Sequence, residues 1–137
     1  MYDNKNLLYL ISAIAATEKA MHYAQDFKSS LTFLEADEQL YFNATITLLI
    51  AIGEEVKKID SRILQTDESI EWNNIVDMRN VLAHDYRGID EDIVFEVVKK
   101  ELPKLEKVLI GFLKLFTENE VAVVLETKHY KHLKGLL

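Results

Sequence analysis

Two side chains able to act on a phosphate group, Arg79 and His84, lie five positions apart in the stretch MRNVLAHDY, residues 78–86. Projecting Trp72 to Tyr86 at about 100° per residue puts Trp72, Ile75, Val76, Leu82, Ala83 and Tyr86 on one broad apolar stripe with Arg79 in its middle. A guanidinium aimed at an apolar surface needs an anionic partner or a water-filled cleft, because a buried unpaired charge is strongly destabilising. Two readings follow. In one, Arg79 forms a structural ion pair with Glu54 or Glu55; in the other it lines a cleft and grips phosphate oxygens through its bidentate fork. His84 falls about 140° around the helix from Arg79, with Asn80 one turn earlier, where its amide could orient the imidazole, and Asp77 two turns earlier. It also sits near the expected helix end, a setting suited to moving protons near neutral pH. Tyr86, if the helix persists, returns to the face of Arg79, where its plainest role is packing with the hydroxyl reaching water.

Other candidate groups are poorer. His129 and His132 make half a metal site at best, since no third ligand lies nearby, so no metal and no cofactor are expected. Glu54 and Glu55 are adjacent on a helix and diverge by about 100°, which favours pairing with Arg79 or Lys58 over joint acid-base work. Cysteine is absent, which removes disulfides, thiolate ligands and cysteine nucleophiles and suits a reducing cytoplasm.

The elements that must position these residues are helices. One proline and four glycines in 137 residues, without internal repeats, predict an all-α chain with a few long helices in a single domain over 1–137. Leu7, Leu10, Ile11, Ile14, Met21 and Ala24 predict a first helix from about Asn4 to Phe27. A second runs from Asp37 to about Ile59; it is apolar around much of its circumference between Ile46 and Ile52 and so must be covered on more than one side, and Gly53 permits a close backbone approach. A third starts after Ser69 as N-cap and stops at Gly88. Asp90 caps a fourth, with Ile89 and Val94 placed as a hydrophobic staple, and Pro103 should kink or break it. The tail over 117–137 reads two ways: VAVVL is strand-like, while Lys128, Lys131 and Lys134 recur as a helical face.

Charge and hydropathy restrict the partners. The apolar stretch of the first helix carries Ser12 and Thr17, stops at Glu18 and has no small-residue cleavage site, so it reads as a helix and not as a signal peptide. No run approaches the roughly 20 apolar residues of a membrane span, so a soluble protein is expected. A net charge of -7 repels polyanions at long range, so any nucleic-acid contact must come from a local cluster of cations.

The string from Arg79 through His84 to Tyr86 resembles the R-x-x-x-x-H-x-Y motif of HEPN domains. IGEEVKKI before it, IEWNNIVDMRN leading into it and RGIDEDIVFEVVKKELPKL after it look like the HepT-like toxin branch of that superfamily. The likeness runs from about Asp37 to Leu109, more loosely through the first helix, and ends before the tail after Thr117.

What the resemblance implies is an antiparallel bundle of four to five helices, a homodimer whose two motifs face one composite cleft, and metal-independent endoribonuclease activity. Arg79 and His84 then become the catalytic pair, Asn80 the polar residue after the motif arginine, and Tyr86 the tyrosine that a partner nucleotidyltransferase antitoxin modifies with AMP. RNA, not DNA or a membrane, is the implied partner; the basic tail lies outside the resemblance, and its own residues read as a solvated segment that could help to hold RNA. The rival expectation is a non-catalytic HEPN module that binds a nucleotide or the nucleotidyltransferase.

Overall fold

A computed structural model describes residues 1–137 apart from the side chain of Tyr86. The described residues are helical with no strand. Helix α1 spans Lys5–Ala24, α2 Ser30–Glu35, α3 Leu40–Lys58, α4 Ser61–Leu64 and α5 Trp72–His84. Then come α6 at Glu91–Glu96, α7 at Leu102–Phe112 and α8 at Glu118–Leu125.

Four long units, α1, α3, α5 and the α6–α7 rod, make an antiparallel bundle. Buried Asn6 fixes the first pairing: its amide nitrogen donates to Asp3 O, and its Oδ1 accepts from the Asp60 N–H at 2.8 Å, so α1 begins where α3 ends. The rod starts at the opposite end of α1, where Lys99 Nζ donates at 2.6 Å to Ala24 O, a carbonyl that also accepts from the Phe27 N–H. Between these ties lies one continuous core of Leu10, Ile14, Leu49, Ile52, Val98 and Leu109, all nearly inaccessible. Phe33 of α2 seals the other end against Phe27, Phe42 and Phe95.

The element boundaries depart from expectation where local chemistry competes. α3 begins at Leu40, because Asp37, Glu38 and Gln39 all adopt positive φ, and left-handed residues cannot join a right-handed helix. Ser69 is not the N-cap of α5; its N–H donates to Asp67 Oδ1 at 3.0 Å, its hydroxyl bonds the same oxygen, and the helix starts at Trp72 without a side-chain cap. α5 stops at His84, where Asp85 leaves helical geometry, and Tyr86–Gly88 form a separate 3-10 turn. Asp90 caps α6 by accepting from the Asp92 and Ile93 N–H groups, and Val94 is buried with Ile89 packed against the same core. Pro103 does not break the rod: a π turn over Val97–Glu101 absorbs the register change just before it, and the proline sits in the first turn of α7, where a missing N–H is harmless. The tail resolves as helix, since Thr117 and Glu120 form a reciprocal capping box that starts α8. No helix is long and apolar enough to cross a membrane, among the described residues.

Candidate active site

The α3–α5 seam closes to near backbone contact at Gly53. A Cβ there would overlap Arg79 Cβ and come within 2.8 Å of its Cγ and 3.3 Å of Ile75 O, so the absent side chain is what lets α5 lie this close. Trp72 anchors the start of α5, its Nε1 donating to Asp67 O and its ring packing at 5.8 Å on Phe112 of α7. Leu82 is the only residue of α5 that is fully buried, while Ile75, Val76, Met78 and Arg79 are half-buried. Of the stripe expected from the sequence, Trp72, Ile75, Val76, Arg79 and Leu82 are at least half-buried, whereas Ala83 is exposed and Tyr86 lies beyond the end of the helix.

Arg79 emerges from that seam with 23% of its side chain exposed. Its Nε donates to Glu54 Oε1 at 2.9 Å, and Nη2 donates to the same oxygen. Nη1 donates to Asn80 Oδ1 at 2.8 Å. Both readings of the arginine thus meet in one geometry: the ion pair with Glu54 exists, yet it lies at the surface, with 39% of the Glu54 side chain exposed. A guanidinium carries five N–H groups, and three are engaged among the described residues. The other two have no partner among the described residues. The hydrogen bond from Arg79, with its charge added, holds the Glu54 carboxyl below its ordinary range, so the pair is ionised at neutral pH.

His84 is the last residue of α5 and is exposed, about one and a half turns beyond Arg79. Asn80 makes no hydrogen bond to it, its amide oxygen accepting instead from Arg79, and the imidazole has no hydrogen-bond partner among the described residues. The expectation for Tyr86 concerns a side chain outside the described residues. Val81, absent from the sequence reading, stands 55% exposed one turn from both Met78 and His84. Its signal was the three-residue spacing of an apolar side chain on the polar face.

Elsewhere the chemistry is structural. Glu106 of α7 has its pKa pushed up to about 7, first by burial and then by Glu18 of α1, which marks a carboxyl pair inside the helix packing and away from α5. No group of three or more His, Asp or Glu is placed to hold a metal ion, among the described residues.

A helical bundle carrying an arginine and a histidine five apart at the end of one helix defines the HEPN class of domain. Within it the chain belongs to the Ribonuclease HepT-like family, whose profile matches residues 14–110. Among curated relatives, a "Gamma-glutamylcyclotransferase and putative RNase" of Methanocaldococcus jannaschii is 26% identical over 113 residues, covering 82% of this chain and 50% of that protein. A "Putative RNase" of Caldanaerobacter subterraneus subsp. tengcongensis is 36% identical over 64 residues, covering 47% and 57%. A "Probable ribonuclease HepT" of Thermococcus cleftensis is 29% identical over 90 residues, covering 64% and 81%. The chain thus spans 50% and 57% of the length of the first two. No solved structure matches it.

Proposed function

We propose that this chain is a metal-independent endoribonuclease that acts as a homodimer, the toxin of a cytoplasmic toxin-antitoxin pair. The observation that carries this reading is the partly exposed Arg79 guanidinium, with two donors unengaged among the described residues, on the same helix as an exposed His84 that has no partner among them. Family membership supplies the substrate class, since the relatives are named as RNases.

Cleavage of RNA through its own 2′-hydroxyl needs a base, an acid and a cation. His84 takes the 2′-hydroxyl proton as that oxygen attacks phosphorus. Arg79 holds the charge that builds on the phosphoryl oxygens, and Asn80 steadies the guanidinium. The P–O5′ bond breaks, and the partner's His84 gives a proton to the departing oxygen, leaving a 2′,3′-cyclic phosphate and a 5′-hydroxyl. One histidine per chain suffices only where a two-fold axis brings two together, which ties activity to the dimer. AMP attached to Tyr86 by a nucleotidyltransferase antitoxin would place bulk and negative charge just beyond His84 in the chain and repel the substrate, silencing the enzyme.

The test is cleavage of RNA by the purified chain in EDTA. Activity is expected to persist there and to fall by at least about 100-fold in His84→Ala and in Arg79→Ala with helical circular dichroism unchanged. Cleavage that needs added metal, or that survives both substitutions, overturns the mechanism.

A further inference from the structure

We propose that the segment 128–134, docked against α1, is a second RNA-backbone site, separate from the Arg79 cleft. This rests on the reading of RNA as substrate.

KHYKHLK is the one seven-residue stretch of the chain with three lysines and no acidic residue. In a protein of net charge -7 it is a local excess of cations that a polyanion can approach, Glu126 being the carboxylate paired within it. The segment lies beyond residues 14–110, so the family match does not account for it.

It is also built rather than merely basic. Leu133 is 1% exposed, and the Tyr130 and Ser12 hydroxyls share a hydrogen bond at 2.6 Å, which pins the turn to the middle of α1. Backbone N–H groups of Tyr130, Leu133, Lys134 and Leu136 each bond the carbonyl three residues earlier. With the Lys131 N–H bonded four residues back to Thr127 O and a 3-10 turn over Lys131–Leu133, these turns gather Lys128, Lys131 and Lys134 into one short anchored segment. All three are exposed, as are His129 and His132. Lys134 is paired with Glu126 at 2.5 Å and Lys131 lies close enough to help hold that carboxyl below its ordinary range, whereas Lys128 has no partner among the described residues. A cluster of cations on an anchored backbone suits the phosphates of a single strand, and little backbone order remains to be lost on binding.

A short chain of contacts links this segment to the cleft. Tyr130 meets Ser12; one turn back on α1, Tyr9 lies under Lys58 Nζ at 5.8 Å; one turn back on α3 from Lys58 is Glu54, which holds Arg79. Two helix spacings of about 8–10 Å therefore separate the segment from the arginine, roughly 20 Å in all. A stacked strand covers that in about six nucleotides at about 3.4 Å each.

Labelled single-stranded RNAs of 4 and 20 nucleotides test this, titrated with His84→Ala chain across salt concentrations, with and without Lys128→Gln and Lys131→Gln. For the 20-mer, the slope of log Kd against log salt is expected to drop by about 1.4 when both lysines are replaced. The 4-mer should bind as before. In chain retaining His84, the double substitution should raise KM for the 20-mer several-fold and leave kcat unchanged. If the parent cleaves RNA but slope and KM ignore the lysines, the inference is wrong and the ribonuclease reading stands. Should the substitutions instead weaken only the binding of a partner nucleotidyltransferase, the segment is a protein contact and the inference fails. A parent chain that neither binds nor cleaves RNA overturns both.

Discussion

At the scale of the residue, the informative feature is that Glu54 and an incoming phosphate compete for the same guanidinium. Glu54 is held below its ordinary pKa by Arg79, so the pair's contribution is fully present above the usual carboxylate range and is lost only as pH falls through the depressed value. At neutral pH the substrate meets an arginine already engaged. Glu54→Gln keeps an oxygen to receive Nε and removes the competing charge. KM for RNA is therefore expected to fall roughly two- to fivefold, the range of one exposed ion pair, with kcat within about a factor of two. Steady-state kinetics on a short oligoribonucleotide check this. A collapse of kcat would show instead that the carboxylate charge is needed to aim Arg79.

At the scale of the element, the placement of Arg79 depends on how closely two helices approach. Glycine at position 53 suggests a close neighbour, but nothing local says that the neighbour is the stem of the motif arginine. Gly53→Ala must drive α5 outward or tilt it, because Ile75 O and the Arg79 stem occupy the space a methyl group would take. Overpacking of this kind costs about 1–3 kcal/mol, and Tm should drop by roughly 4–12 °C. Cleavage should fall further than stability explains, up to about 100-fold, since a phosphate ligand displaced by about 1 Å loses its alignment. Thermal melts and single-turnover rates measured on the folded variant separate the two effects. The same scale shows where sequence patterns mislead: Ser69 reads as a cap until Asp67 claims it, and VAVVL reads as a strand until the Thr117–Glu120 box makes it a helix.

At the scale of the whole molecule, α5 is unfinished. It buries one residue fully and leaves Val81 more than half exposed beside His84, with Ile75 and Met78 half-covered along an apolar groove of about 290 Å³ that also takes in Val97, Leu102 and Leu105. A second copy laid along this face would cover it and bring two His84 side chains together. Val81→Asp puts a charge where only a dimer would bury one. Sedimentation or light scattering should find the variant monomeric at micromolar concentration, with unchanged helix content and no RNA cleavage. A dimer that persists and cleaves normally removes this face from the interface.

The sequence by itself determined the helical class, the course of α1, the capping of α6 by Asp90 and the candidate pair Arg79 and His84. Each of these is written in periodicity or in residue types a few positions apart, and local sterics and hydrogen bonding enforce them without reference to the rest of the chain. Only the tertiary structure decided which carboxylate meets Arg79, that Asn80 serves the guanidinium and not the imidazole, that the proline is absorbed by a π turn, and that the basic tail is anchored to α1 through Tyr130 and Leu133. Those outcomes are choices among chemically equivalent partners. Glu54 and Glu55 are alike in sequence, and what separates them is the direction in which α3 presents each to a helix that packs on it from 25 residues away.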